Sequence, residues 1–179
     1  MAKITAKQER GYRFELLVFE GLKGVSGIYN LMHDVEYHKE RYVYRQADLS
    51  YQIATPQGLE LVLVEAKSSL GGPIQNKLRL KPNQEPKRGQ LIPDIITLDQ
   101  EILERQQFIG ATQSVAITNT YFDKAFMDAA KKRGIYVIDR TGLEQMLKQQ
   151  KRSYSKLEAH INNIHLNGQV SQKNIIYLK

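Results

Sequence analysis

The stretch LVLVEAKSS, residues 61–69, joins an apolar run directly to a carboxylate and an ammonium group. Its first four residues are apolar, which is typical of a strand that is buried in a sheet. Because strand side chains alternate between faces, Glu65 and Lys67 share one face, directly beyond Leu61 and Leu63. A charge placed in such a setting is costly unless it has partners, and a bound metal ion is one such partner. A surface ion pair worth about 0.2–1 kcal/mol is the alternative.

A second acidic residue precedes this strand in the sequence. Residues 48–55 (DLSYQIAT) predict a strand, and the turn residues PQG at 56–58 reverse the chain. The resulting hairpin brings Asp48 close to Glu65. Two neighbouring carboxylates repel each other and raise one pKa, unless a divalent cation lies between them. A site with a small number of hard oxygen ligands favours Mg²⁺, and Mn²⁺ can replace it. Lys67 beside the ion would polarise an attacking water or neutralise the charge that develops on a phosphate.

Glu15 is the third acidic candidate. Residues 5–23 predict a helix, and the neighbours of Glu15 one turn further on are apolar. A carboxylate that borders the core needs a partner, which a shared metal ion or its water would provide. Pairing with Arg13 or Lys23 at the surface is the alternative, and the pattern does not decide between them.

The rest of the chain alternates strands and helices. Residues 34–38 and 41–45 have strand character, and strand–helix–strand segments follow with short links, which favours parallel strands. The later predicted elements are a helix at 96–111, a strand at 114–118, a helix at 121–133 capped by Thr120, a strand at 135–139 and a helix at 142–150. The sequence therefore predicts an α/β protein with a mixed sheet between helices.

These motifs resemble the PD-(D/E)xK restriction-endonuclease-like superfamily, and within it the Mrr-like branch. The resemblance covers residues 8–147. It is carried by Gly11-x-x-Phe14-Glu15, by Asp48, by Glu65-x-Lys67 and by residues 116–147, which are similar to the end of the Mrr-like domain. The chain departs from the family in having Gln46-Ala47 where the proline of the motif stands.

The resemblance implies a restriction-endonuclease-like core of αβββαβαβ order in residues 1–147, followed by an extension at 148–179. It also implies a Mg²⁺-dependent endonuclease of restriction type that hydrolyses DNA phosphodiester bonds.

In that reading, four side chains form the catalytic site. Asp48 and Glu65 would hold the metal ion, and Lys67 would position or activate the attacking water. Glu15 would support the metal site from the first helix.

The basic charge is concentrated in two segments. Residues 70–93 carry a net charge of +4 and residues 148–179 one of +5, within a chain whose net charge is +7. Such segments suit a polyanionic partner, and a solubilising surface is the alternative. The loop at 68–93 is rich in Gly and Pro, and Asn167-Gly168 predicts a small hairpin in the tail. We expect DNA contacts from Lys77, Arg79, Lys81, Lys87, Arg88, Lys151 and Arg152.

Composition excludes several classes of protein. The chain has no cysteine, so disulfides, thiol catalysis and cysteine-ligated zinc are excluded. No apolar run is long enough to cross a bilayer and no signal peptide is recognisable, so we expect a soluble, cytoplasmic protein. The four histidines are not spaced as a zinc cluster, and we expect His33 and His38 to be exposed.

Two alternatives to a restriction-type enzyme remain open at this point. One is a DNA-binding module that keeps the nuclease fold without catalysis. The other is a structure-selective nuclease, such as a junction resolvase, working as a homodimer with two active centres. The sequence does not decide between a monomer and a homodimer, or between DNA and RNA.

Overall fold

The computed structural model describes residues 4–77, 79–80, 95–166 and 173–178. Within these residues the chain forms an α/β structure, as predicted. The elements in chain order are α1 (Ala6–Leu22), β1 (Ile28–Glu40), β2 (Val43–Thr55), β3 (Gly58–Lys67), β4 (Arg79–Leu80), β5 (Ile95–Ile96), α2 (Leu98–Ile109), β6 (Gln113–Thr118), α3 (Lys124–Arg133), β7 (Tyr136–Ile138), α4 (Arg140–Gln149), α5 (Tyr154–Asn162) and β8 (Asn174–Tyr177).

The sheet is mixed, and its six described strands lie in the order β7-β6-β3-β2-β1-β8. β1, β2 and β3 form an antiparallel meander, whereas β6 and β7 continue the sheet in parallel with β3. β3 is therefore central, between an antiparallel and a parallel neighbour. Helices cover both of its faces, which explains why Val62, Leu63 and Val64 are all buried and why its apolar run does not alternate with polar residues.

The helices form one layer on each face of the sheet. α1, α4 and α5 pack on one face, where Phe14, Leu147 and Ile161 share a core with Val62 and Val64. α2 and α3 cover the other face, where they pack against alternate residues of the same strands. The two residue sets of β3 thus face two different cores.

The loop that follows β3 is anchored at its beginning. Ile74 forms a parallel bridge to Phe122, and the Asn76 side-chain amide donates a hydrogen bond to Asp99 at 2.8 Å. β4 and β5 then pair in antiparallel fashion just before α2. Residues 78 and 81–93 of the predicted basic loop lie outside the described residues. The described beginning of this loop is therefore held against the start of α2 and against the segment that precedes α3.

The predicted cap of the third helix was wrong. Asp123 is the N-cap, and its side chain accepts a hydrogen bond from the backbone N–H of Phe126 at 2.8 Å. The hydroxyl of Thr120 instead donates to the carbonyl of Gly72 at 3.0 Å. The helix starts late because Phe122 is held in its bridge to the preceding loop.

Segment 148–179 contributes a helix and a strand to the main structure. Tyr154, Leu157 and Ile161 of α5 lie in the core beneath α1, and β8 pairs in parallel with β1. The sequence predicted only a small hairpin here, and it missed α5. The predicted turn at Asn167-Gly168 lies outside the described residues.

Over the ranges that the structure describes, no helix combines the length and the apolar character needed to cross a membrane.

We expect Ile161→Ala to lower the free energy of unfolding by about 2–5 kcal/mol, because Ile161 is 2% exposed and its removal leaves a cavity under α1. Urea unfolding monitored by circular dichroism measures the change. The exposed Lys156→Ala on the same helix is the control, with an expected effect within about 0.5 kcal/mol. Equal effects of the two substitutions would contradict the packing of α5 in the core.

Candidate active site

Two carboxylates meet where β2 and β3 run side by side. The register pairs Leu49 with Val64, so the next pair along the two strands is Asp48 and Glu65. An Asp48 carboxylate oxygen accepts a hydrogen bond from the backbone N–H of Ala66 at 2.8 Å. This bond fixes Asp48 against β3, and both carboxylates lie at one point of the central sheet.

Each oxygen of the Glu65 carboxylate has a cationic neighbour. Lys67 pairs with Oε1, and Arg105, from α2, pairs with Oε2. The Glu65 side chain is only 3% exposed. Burial alone would raise its pKa, but Arg105 and Lys67 outweigh burial and lower the pKa of Glu65 to about 2. Glu65 therefore stays ionised at neutral pH.

Asp48 is shifted in the opposite direction. Burial raises the pKa of Asp48 to about 7, and the negative charges of Glu65 and Glu15 add to that effect. Lys67 and Arg105 oppose the shift without reversing it. Neighbouring acids whose pKa values are pushed apart are typical of functional sites. Asp48 is the group in this cluster whose negative charge is least compensated.

The two cations of the cluster stay protonated. Burial acts to lower the pKa of Lys67 and of Arg105, but Glu65 and Asp48 outweigh burial and raise both pKa values. With both acids ionised, these four side chains carry no net charge. Charges buried in this way cost several kcal/mol each unless they are well paired, so the cluster is an expensive feature at the centre of the sheet.

A cavity of about 260 Å³ opens beside this cluster. That volume holds several water molecules or a phosphate group. One wall is formed by Ile96 of β5, so the described stem of the basic loop borders the cavity. The lining residues are Arg45, Gln46, Asp48, Glu65, Lys67, Ile96, Glu101, Glu104 and Arg105.

Glu15 lies next to the cluster but does not line this cavity. Its Oε2 atom is 3.0 Å from Nε2 of His33, between α1 and β1. The surface partners that the sequence suggested are engaged elsewhere, because Arg13 pairs with Glu9 and Lys23 pairs with Glu20. Glu15 contributes to the site through its charge, and its support of a metal ion stays a prediction.

The expectation that His33 and His38 are exposed was wrong. Their side chains are 9% and 7% exposed, respectively. His33 packs against the ring of Tyr12, and His38 stacks on Tyr44 with its Nε2 atom 3.0 Å from Glu36. Each imidazole packs against an aromatic ring and has its Nε2 atom 3.0 Å from a carboxylate oxygen, which explains why neither side chain is exposed.

The sequence did not identify Arg105, which is the residue that completes the cluster. Besides its contact with Glu65, Arg105 donates to Glu101, one turn back along α2, at 3.1 Å. Arg105 stands three residues after Ile102 and four before Ile109, which are both buried. An arginine within the apolar stripe of a helix is the signal that could have indicated it.

The structure describes only three of the side chains that were predicted to contact DNA. The structure does not describe the side chains of Arg79, Lys81, Lys87 and Arg88. Lys77 and Lys151 are exposed, whereas Arg152 donates to the carbonyl of Glu20 in the last turn of α1 at 2.7 Å.

The opposite end of α1 lies beside the residues that follow Lys67. Ala6 and Arg10 line a cavity of about 470 Å³ together with Ser68 and Ser69. Arg152 is therefore separated from that end by most of the helix, roughly 20 Å. Arg152 therefore stabilises the C-terminal end of α1, and its contact with DNA stays a prediction.

The donor set fits a hard divalent cation that keeps several of its waters. Among the described residues, no group of three or more His, Cys, Asp or Glu side chains could hold a metal ion. Asp48 and Glu65 do supply two carboxylates, and Mg²⁺ is typically bound by one or two carboxylates plus water and substrate oxygens. A cation between the two acids would relieve the repulsion that, together with burial, raises the pKa of Asp48.

Solved structures match this chain at low sequence identity. AF1548, a protein of unknown function, is 17% identical with a TM-score of 0.55, over 78% of this chain and 66% of its own. The MspJI restriction endonuclease, in complex with a 27-mer oligonucleotide, is 12% identical with a TM-score of 0.49, over 100% and 41%. VC1899 from Vibrio cholerae is 11% identical with a TM-score of 0.44, over 83% and 32%.

The likeness to AF1548 shows a shared fold and carries no activity with it. The chain spans less than two thirds of the length of each of these three proteins. No family model matches the chain, and no curated protein sequence matches it.

Asp48→Asn is expected to stabilise the protein progressively as the pH rises from about 4 to about 7. The pKa of Asp48 is about 7 in the folded state and about 3.9 in the unfolded chain. In the wild type, the proton on Asp48 stabilises the folded state fully when the pH is below the pKa of the unfolded chain. This stabilisation is lost as the pH rises through the pKa of the folded state. Asparagine is neutral throughout and can still accept from Ala66.

Urea unfolding at pH 4.5 and pH 8 checks this pH dependence. We expect a gain of at least about 1 kcal/mol at pH 8 and a smaller gain at pH 4.5. Asp128→Asn, on the exposed surface of α3, is the control with no expected trend. The same gain at both pH values for Asp48→Asn would rule out a proton held by Asp48.

Proposed function

We propose that this protein is a metal-dependent deoxyribonuclease of the PD-(D/E)xK restriction-endonuclease-like superfamily. The observation that supports it best is the meeting of Asp48, Glu65 and Lys67 at one buried point of the sheet. Binding to DNA does not require two acids and a lysine in a buried cluster. Such a cluster suits hydrolysis of a phosphodiester, which is accelerated by a bound cation, a positioned water and stabilisation of growing negative charge.

Asp48 and Glu65 would hold Mg²⁺, or Mn²⁺ in its place, with water completing the coordination. When bound, such an ion acts as a Lewis acid at a phosphate oxygen. The neighbouring cavity of about 260 Å³ offers room for that phosphate.

Lys67 would orient the attacking water or bind a phosphate oxygen. Its pairing with Glu65 directs the ammonium group, and the two neighbouring acids keep it protonated. A fixed ammonium aimed at a phosphate stabilises the charge that develops in the transition state, without reorganisation during the reaction. Lys67 is 26% exposed, so it can reach both the cluster and a substrate.

A DNA-binding module without catalysis is the second candidate, and one observation favours it. Arg105 already pairs with Glu65, so the cluster of Asp48, Glu65, Lys67 and Arg105 is electrically balanced without a metal ion. An ion cluster of this kind can persist as a structural feature after activity has been lost. Cleavage assays separate the two candidates.

We expect Lys67→Ala to reduce the cleavage of supercoiled plasmid, measured over a Mg²⁺ titration, by at least about 100-fold. DNA affinity, measured by fluorescence anisotropy in EDTA, should stay nearly unchanged, because one lysine is a small part of the phosphate contacts. Lys131→Ala, at an exposed position in α3, is the matched control and should cleave like the wild type. Equal losses of cleavage and of binding would make Lys67 a structural lysine.

DNA affinity should also depend strongly on salt. If the basic segments neutralise about six phosphates, a plot of log K against log salt concentration has a slope of about −5. Anisotropy titrations in EDTA at NaCl concentrations from about 50 to about 200 mM measure this slope, because the affinity of phosphate contacts changes strongly over this range. A slope near zero would exclude the basic segments from DNA binding.

A further inference from the structure

Arg105 occupies the carboxylate that a metal ion would need. Its Nη1 atom contacts Oε2 of Glu65, while Lys67 is at the other oxygen. The Arg105 side chain is 14% exposed and the Glu65 side chain 3% exposed, so little solvent screens this pair. A divalent cation at Glu65 would lie beside a guanidinium of the same sign.

Arg105 also has an alternative acidic partner within reach. Its Nη2 atom is already 3.1 Å from Oε1 of Glu101, one turn back on α2. Glu104, on the same helix, is held by Arg45 at 2.6 Å. Arg105 can therefore leave Glu65 and keep an ion pair, because its guanidinium presents several donors in a fixed fork.

We propose that Arg105 is a counter-cation that competes with the divalent cation for Glu65, and that it sets the affinity of the site for metal. This inference rests on the proposed function, because it concerns the same carboxylates. In the absence of metal, Arg105 and Lys67 neutralise the two acids and stabilise the buried cluster. Metal binding transfers Arg105 from Glu65 to Glu101.

The competition predicts the direction in which the metal affinity changes when Arg105 is replaced. Replacing Arg105 by an uncharged residue leaves Asp48, Glu65 and Lys67 with a net charge of −1 when both acids are ionised. Removing a neighbouring charge of like sign strengthens cation binding. A role of Arg105 as an ordinary structural partner predicts the opposite result, since losing it would disturb Glu65 and weaken binding.

Isothermal titration calorimetry with MnCl₂, in the absence of DNA, tests the proposal on the full chain. Arg105→Gln should bind Mn²⁺ at least tenfold more tightly than the wild type. Arg133→Gln is the matched control, because Arg133, from α3, pairs with Asp99 of α2 and does not line the cavity. The Arg133→Gln variant should bind Mn²⁺ with the affinity of the wild type. Glu65→Gln should lose binding, which assigns the ion to this site.

A second substitution protects the test against loss of folding. Arg105→Lys keeps the charge but removes the fork that spans Glu65 and Glu101, so its affinity should lie between those of the wild type and Arg105→Gln. Thermal unfolding by circular dichroism identifies the variants that fold. If Arg105→Gln does not fold, the Mn²⁺ affinity of Arg105→Lys decides between the two roles.

The outcomes separate this inference from the function on which it rests. Mn²⁺ binding that needs Glu65 but is equal or weaker in the Arg105 variants overturns the competition and leaves the nuclease proposal standing. No Mn²⁺ binding by the wild type or by any variant overturns both.

Discussion

Glu65 places a buried negative charge at the end of β3, and Lys67 and Arg105 are its partners. β3 lies at the centre of the sheet with a core on each face, and yet it ends in Glu65 and Lys67. Two neighbouring elements provide the contacts that stabilise these charges. β2 fixes Asp48 by a hydrogen bond from the β3 backbone, and α2 supplies Arg105. The repulsion between these two neighbouring acids is the feature on which the proposed metal site rests.

The sequence predicted those features that follow from local periodicity and from one turn. The continuous apolar run of β3 indicated a central strand, and the turn at 56–58 set the register that places Asp48 opposite Glu65. The α/β class with a mixed sheet followed from the alternation of strands and helices further on. In each case the deciding contacts lie between neighbouring elements, where spacing along the chain fixes spacing in the structure.

The features that the sequence missed depend on contacts between distant elements. Arg105 reaches Glu65 across forty residues, and only the packing of α2 on the sheet shows that they meet. Thr120 has the chemistry of a cap, but the bridge between Ile74 and Phe122 delays the start of α3. α5 is a different case, because Tyr154, Leu157 and Ile161 have helical spacing that is visible in the sequence itself.

A crystal structure of the protein soaked in Mn²⁺ would locate the ion and Arg105 together. We expect an anomalous peak bonded to oxygen atoms of both Asp48 and Glu65, at about 2.0–2.2 Å, with Arg105 moved away from Glu65. Arg105 still paired with Glu65, and no peak between the two carboxylates at saturating Mn²⁺, would contradict this expectation.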